Sequence, residues 1–277
     1  MIAEELRARA RSIRKRLLRM HYEAKSSHLG TGLSEVDILT FLFGHWLAPE
    51  DRFILSKGHG ASGLYSTLEE FDRLPKGMIE TYYKDNTKLA AHPSPLSVEA
   101  IPVATGSLGH GLSVATGMAL GARLTEWRES SAQVSAEQGI KKSRKKIVCL
   151  ISDGECNEGS IWEAILFAAH HQLNNLTVFV DFNGLQGFGR NSEVLNLEPI
   201  VDKWKAFGFE TRLVDGHDFN SIETAMKEVE SSDRPRCLIA KTIKGRGVSF
   251  MEDRLEWHYL NLNQELYEKA LAEVDKS

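Results

Sequence analysis

Ten histidines are spread along this 277-residue chain, and six stand where chemistry could use them. His28 follows two serines, His59 and His110 each lie between glycines, and His92 precedes Pro93. His217 follows Gly216, and His258 follows Trp257 near the end. Imidazoles in such turns titrate near neutral pH and can take or give protons. A single one reads as a capped or exposed loop histidine; several together point to a site that moves protons. A second group is rich in oxygen. Asp153-Gly154 follows the apolar run Ile147–Ser152, and thirty positions later Asn183 follows the apolar run 176–181. A carboxylate and an amide at neighbouring strand ends can face one hard cation such as Mg²⁺, which usually leaves positions for phosphate oxygens. Gly154 lets the backbone approach a phosphate, with N–H groups of the next helix behind it. The same pair also reads as an Asp-Gly turn and an unrelated turn asparagine. The third group is Gly-Ser-Leu-Gly-His-Gly (106–111), which opens a helix containing further glycines at 117 and 121. Glycine in a helix costs ~1 kcal/mol against alanine, so close packing against a ligand, a neighbouring chain or another helix is expected there.

Other chemistries are excluded by pattern. There is no HExxH, no cysteine near a histidine pair, no GxxxxGK[ST] and no GxSxG. A net charge of -4 and a pI near 6.2 argue against nucleic acid as a partner. No apolar run approaches the ~20 residues of a membrane helix. The basic start lacks the apolar stretch of a secretory signal, and Glu4 and Glu5 count against a transit peptide, so it reads as the first helix of the fold. Three separated cysteines, Cys149, Cys156 and Cys237, fit a reducing, cytoplasmic setting.

The elements that must position these residues follow from periodicity. A long amphipathic helix spans 2–25. A second helix is expected to start at Ser34, with Asp37 in a capping box, and to reach Trp46. Arg52–Leu55 reads as a strand leading into Ser-Lys-Gly-His-Gly, followed by helix over 61–71 and a proline-bearing loop over 84–104. Strands at 147–152, 176–181, 209–214 and 236–242 alternate with helices at 160–171, 200–207 and 219–231. Apolar strands alternating with helices predict a parallel sheet covered on both faces, with ligands at the carboxyl ends of its strands. The stretch 126–146, with its SSAQVSAEQ and KKSRKK runs, reads as a solvated connection or as a basic patch for an acidic partner surface.

The motifs together resemble the amino-terminal, thiamine-diphosphate-binding part of transketolase, and most of all the short N-terminal subunit of a split transketolase. The matching stretches are Ser-Ser-His-Leu-Gly-Thr-Gly (26–32), Asp-Arg-Phe-Ile-Leu-Ser-Lys-Gly-His-Gly (51–60), His92-Pro93, Gly-Ser-Leu-Gly-His-Gly (106–111), Ser-Asp-Gly-Glu-Cys-Asn-Glu-Gly (152–159), Asp-Phe-Asn-Gly-Leu-Gln (181–186), Thr-Ile-Lys-Gly-Arg-Gly-Val-Ser-Phe-Met-Glu (242–252) and Trp-His (257–258). The resemblance implies an α/β fold of the thiamin-diphosphate-binding (PP) type, one domain over 1–277. It implies thiamine diphosphate held with Mg²⁺, Ca²⁺ or Mn²⁺ by Asp153, Asn183 and the backbone oxygen of Leu185. Gly154 would approach the diphosphate, and His59, Gly106 and Leu108 would touch the cofactor. His28, His92 and His258 would line the cavity, bind donor hydroxyls and move protons. Glu158, beside the cofactor, and Glu163 match family acids at a subunit contact.

The pattern departs from the family at Leu29, at Ser152, at His110 and at Gly187-Phe188, where Ile-Asp is usual. Loss of the branched side chain at 187 is expected to loosen support for the cofactor. The implied activity is transfer of a two-carbon ketol unit from a ketose to an aldose. It requires a partner chain with the pyrimidine-binding domain, two copies of each chain assembling together, because no length remains here for that domain. Two other readings stay open: the α chain of a 2-oxo-acid dehydrogenase, and a cofactor-binding subunit without turnover.

Overall fold

A computed structural model of the chain describes residues 2–95, 98–131 and 145–276. Five strands, β1 (Arg52–Leu55), β2 (Ile147–Ser152), β3 (Leu176–Phe182), β4 (Glu210–Asp215) and β5 (Arg236–Lys241), form one parallel sheet in the order β1-β2-β3-β5-β4. Helices α1 (Ile2–Ala24), α2 (Leu29–Phe41) and α3 (Ala61–Glu70) lie on one side. Helices α4 (His110–Ser131), α5 (Gly159–His170) and, after the short α6 (Asn191–Val194), α7 (Ile200–Ala206) lie on the other. Helices α8 (Phe219–Glu230) and α9 (Gln264–Val274) return to the first side.

The strand pleat divides the apolar residues between two cores. Val148 and Leu150 of β2, with Phe179 and Leu238, pack under α1, α2 and α8. Ile147, Cys149 and Ile151, with Val178, Val180 and Ile239, pack under α4, α5 and α7. All six residues of β2 are buried, which is why its sequence is a continuous apolar run rather than an alternating one. The parallel α/β architecture expected from the sequence is therefore present.

Two expectations need correction. The second helix begins at Leu29, not Ser34, and the Ser34–Asp37 capping box does not exist. Ser34 Oγ donates to the Thr31 carbonyl (3.0 Å) and to Asp181 (2.6 Å), while Asp37 pairs with Arg14 (2.6 Å). The glycines that hid the true start are there for packing. A Cβ at Gly30 would meet Lys244 and the Trp257 carbonyl at 3.1 and 3.2 Å, and one at Gly32 would meet Leu17 at 3.0 Å. The second correction concerns 126–146: its first six residues continue α4 to Ser131, and residues 132–144 lie outside the described residues.

Candidate cofactor site

The chemistry-bearing turns converge where the strands end. β1 runs into Ser56-Lys57-Gly58-His59-Gly60, β2 into Asp153-Gly154, and β3 into Asn183. One side chain ties three of these motifs together. Buried Glu155 accepts the Gly109 N–H (3.0 Å), the Ser152 N–H (2.9 Å) and the Ser56 hydroxyl. The glycines of the 106–111 turn answer to this closeness. Gly109 has φ 85°, and a Cβ there would lie 2.8 Å from that of Glu158.

A cavity of about 460 Å³ opens over these turns, and every residue that the resemblance assigns to the cofactor, the metal or proton transfer lines it. His28, His59, His92 and His258 stand together with Gly106, Leu108, Asp153, Gly154, Glu158, Asn183 and Leu185. The His28 ring lies 4.8 Å from His258, 5.6 Å from His59 and 6.3 Å from His92, centre to centre. His28 itself is held in the left-handed region at φ 71°, and its N–H donates to the His258 carbonyl (3.0 Å). Such backbone strain persists only where the surroundings over-determine it. His110 and His217 are not part of this group. His110 is exposed at the start of α4. His217 is locked between Asp37 (2.7 Å) and the Ile243 N–H (2.8 Å), a structural role.

Burial keeps the gathered rings neutral. It lowers His28, His92 and, most strongly, His59, and it takes His258 down to about 3, helped by the nearby Lys244 charge. At pH 7 the site thus presents imidazoles able to accept protons, rather than a cluster of cations.

The oxygen-bearing residues form a second wall. Asp153 Oδ2 accepts from the Gly184 N–H (2.7 Å) and Asn191 Nδ2 (2.9 Å), and Oδ1 accepts from the Gly154 N–H (2.8 Å). Burial pushes the Asp153 carboxyl up despite those hydrogen bonds, and the neighbouring Asp181 adds to the rise, so a cation beside it would be stabilising. Asn183 Oδ1 accepts the Leu185 N–H (3.0 Å). Among the described residues no group of three or more His, Cys, Asp or Glu could hold a metal by itself. One carboxylate, one amide and one carbonyl suit a hard cation that shares its other positions with phosphate. Buried polar atoms at the cavity also remain without partners: Asn157 Oδ1, Gln186 Nε2 and His258 Nδ1. The residues present therefore fit a diphosphate and a divalent cation.

Lys244, Gln186, Asn157 and Tyr259 were not singled out by sequence, yet they line the same cavity. Lys244 is 2% exposed, brought down to about 8 by burial, and its Nζ donates to the Leu185 carbonyl (2.8 Å), the oxygen assigned to the metal. Its place inside the Thr-Ile-Lys-Gly-Arg-Gly stretch is the one signal that could have found it. Beneath the cavity Lys57 pairs with Asp181 and lies 3.1 Å from Glu35, all fully buried. Asp181 also takes the hydroxyls of Ser34 and Thr242, which leaves Glu35 the weaker partner; burial raises it to about 8.

Part of the surface around the site is apolar and open. Phe188 is 87% exposed at the cavity mouth. Val114 and Leu124 of α4, with Leu166 and Phe167 of α5, are exposed, and added Cβ atoms at Gly117 and Gly121 would meet nothing within 4 Å. Glu158 and Glu163 are exposed beside this face.

Comparison with known proteins gives the family and agrees with the fold. Residues 8–271 match the family model described as transketolase, thiamine diphosphate binding domain. The chain is 36% identical to one subunit of the apulose-4-phosphate transketolase of Actinobacillus succinogenes, covering 98% of this chain and 96% of the relative. It is 34% identical to the 6-deoxy-6-sulfo-D-fructose transketolase subunit SqwG of a Clostridium species, covering 98% and 97%. The crystal structure of transketolase from Campylobacter jejuni superposes with a TM-score of 0.85 at 28% identity over 98% of this chain. That match spans 42% of the solved protein's length. On its motifs, its fold and this full-length similarity, the chain belongs to the transketolase family as a thiamine-diphosphate-binding subunit.

Proposed function

We propose that the chain is the cofactor-binding half of a two-chain transketolase, moving a two-carbon ketol unit from a ketose to an aldose. The observation that carries the reading is one cavity in which four neutral imidazoles face a buried carboxylate and a half-buried amide at the ends of β2 and β3. Asp153, Asn183 and the Leu185 carbonyl would hold Mg²⁺ (or Ca²⁺ or Mn²⁺), with Gly154 next to the diphosphate. Bound thiamine diphosphate supplies the carbon nucleophile and electron sink that this chain's side chains lack. His28, His92 and His258 would hydrogen-bond donor hydroxyls and take up a proton at a ring nitrogen as the carbon–carbon bond breaks. His59, Gly106 and Leu108 would set the cofactor's place.

The partner would be a chain carrying the pyrimidine-binding domain. Three things support this: the relatives are named as subunits, the solved transketolase is more than twice as long, and the apolar face of α4 and α5 stands open next to Glu158 and Glu163. Two copies of each chain about a two-fold axis would complete paired sites. Sugars or sugar phosphates are the proposed substrates, and the whole chain 1–277 would act as one domain. The cytoplasm is the proposed setting, supported by three buried, unpaired cysteines. No helix among the described residues is long and apolar enough to cross a membrane. The test is reconstitution. The purified chain alone should give no ketol transfer and weak thiamine diphosphate binding, and adding the partner should restore both. Full activity of the isolated chain, with no second polypeptide in its mass spectrum, overturns the reading.

A further inference from the structure

The resemblance to transketolase leads to the expectation of a branched residue where Gly187 stands, and backbone conformation does not explain the glycine. Its neighbours Gly184 and Gly189 have positive φ angles of 77° and 151°, whereas Gly187 does not. Space explains it. A Cβ at 187 would lie 3.1 Å from His258 Nε2 and 3.1 Å from the Tyr259 hydroxyl. That hydroxyl donates to the Gly187 carbonyl at 2.6 Å. The loss of the branched side chain therefore leaves no gap: the phenol of the residue after His258 stands there.

The same phenol bears on the orientation of His258. The Tyr259 ring meets the His258 ring edge-on, at 4.8 Å and 72°, and His28 meets His258 from another side at 4.8 Å and 81°. His258 Nδ1 is buried without a hydrogen-bond partner. This imidazole has no bond at Nδ1 to fix its ring, so its neighbours' rings must do so.

We propose that Tyr259 is a positioning residue for His258, and that Gly187 and Tyr259 form a complementary pair replacing one branched side chain. The phenol pins the 184–189 turn through the Gly187 carbonyl and braces the imidazole of His258. The proposal rests on the transketolase reading for the role of His258, but not for the coupling between 187 and 259.

The experiment is a double-substitution cycle in the full chain assembled with its partner, using Tyr259→Ala, Tyr259→Phe, Gly187→Ile and Gly187→Ile/Tyr259→Ala. Misplacement of a reacting group by about an ångström can cost ~10²-fold, so Tyr259→Ala should lower kcat by about 10- to 100-fold, with a smaller change in donor KM. Tyr259→Phe keeps the ring and loses one hydrogen bond, so an effect of about 2- to 10-fold is expected. The double substitution should recover most of the Tyr259→Ala loss, because the isoleucine fills the space the phenol leaves. A second readout needs no turnover. In the full chain with isotope-labelled histidine, the His258 resonances, assigned by His258→Asn, should shift or broaden in Tyr259→Ala and return in the double substitution. Unchanged kcat and unchanged His258 resonances in Tyr259→Ala overturn the proposal, as do losses that simply multiply in the double substitution. If the unsubstituted assembly transfers no ketol unit, the functional reading fails by itself, and the His258 resonances still decide the coupling.

Discussion

Two cavities of nearly equal size, about 460 and about 430 Å³, indent this chain, and their polar groups are treated differently. The second is lined by Arg7, Arg11 and Arg14 of α1, Arg246, His217, Asp37, Glu252 and Glu273. Every carboxylate in it is taken up within the chain. Asp37 receives both Arg14 nitrogens (3.0 and 2.6 Å) and His217 Nδ1 (2.7 Å). Glu252 takes the Gly247 N–H (3.0 Å), and Glu273 takes the N–H and hydroxyl of Ser249 (2.5 and 3.0 Å). Among the described residues, the histidine cavity holds an imidazole nitrogen, an amide oxygen and an amide nitrogen buried without partners, against only Nε of the otherwise bonded Arg11 in the other, and it maintains a strained histidine backbone. Buried polar groups are normally satisfied, so a cavity that leaves several open is prepared for something from outside. The arginine cavity, though richer in charge, is a clasp that joins α1, α2 and the loops after β4 and β5.

The comparison predicts opposite consequences for substitutions of similar kind. The largest effect should come from His258→Ala. Loss of a positioned acid–base group typically lowers rates by about 10²–10⁴-fold, while the melting temperature should barely move. A collapsed melting temperature with a normal rate would make His258 part of the core instead. Next come two buried aspartates. Removing one partner of a buried charge pair costs about 3–5 kcal/mol. In Asp37→Ala that loss should appear as global destabilisation in denaturant unfolding, because Arg14 and His217 lose their partner. In Asp153→Ala a loss on this scale should appear in calorimetry of Mg²⁺ and thiamine diphosphate binding to the assembled enzyme. Unchanged cofactor affinity in Asp153→Ala would remove the metal assignment.

The cavities should also respond to different ranges of pH. His258 is held at about 3, below the ordinary value of 6.5, so between those values the unfolded chain binds a proton that the folded chain does not. Stability from this residue is complete above pH 6.5 and falls as pH drops toward 3. Asp37 is held at about 2 by Arg14 and His217, against the opposing effect of burial, from an ordinary 3.8. Its contribution is complete above pH 3.8 and is lost only as pH falls toward 2. His258→Asn should therefore flatten the stability profile at about pH 4–6 by at most ~1.4 kcal/mol per pH unit, the slope of one proton, and Asp37→Asn should not. Equal slopes for His258→Asn and the unsubstituted chain across that range would show that the ring is not desolvated.

How much of this was legible in the sequence follows from how local each feature is. Asp153, Gly154, Asn183 and His59 sit in the turns that their own strands run into, so order along the chain was enough to place them at one end of the sheet. The sheet was legible because β2 and β3, buried on both faces, read as apolar runs. Features made by distant contacts were not. Asp37 looked like a capping residue, yet its partners lie 23 and 180 positions away. Glu155 joins turns 46 and 99 positions apart from it, and Tyr259 reaches back 72 positions to Gly187. The start of α2 was hidden because Gly30 and Gly32 resemble loop glycines until Lys244, Trp257 and Leu17 are seen against them.

The smallest expected effect tests the comparison most directly. Arg7 lines the arginine cavity, is exposed, and makes no hydrogen bond or ion pair among the described residues. Arg14, two turns along α1, is buried and bonded to Asp37 and to the Arg246 carbonyl (3.3 Å). If the cavity is a clasp, its strength lies in those satisfied contacts and Arg7 is an ordinary surface residue. Arg7→Ala should then change stability by no more than ~0.5 kcal/mol, the usual range for such positions. Inorganic phosphate at millimolar concentration should shift the melting temperature of the chain and of Arg7→Ala equally. A ligand that binds only the folded state raises apparent stability by mass action, so an occupied anion site would reveal itself as a phosphate-dependent shift. A shift present in the unsubstituted chain and absent in Arg7→Ala would mean that satisfied carboxylates do not mark a cavity as mere architecture, and the distinction between the two would fall.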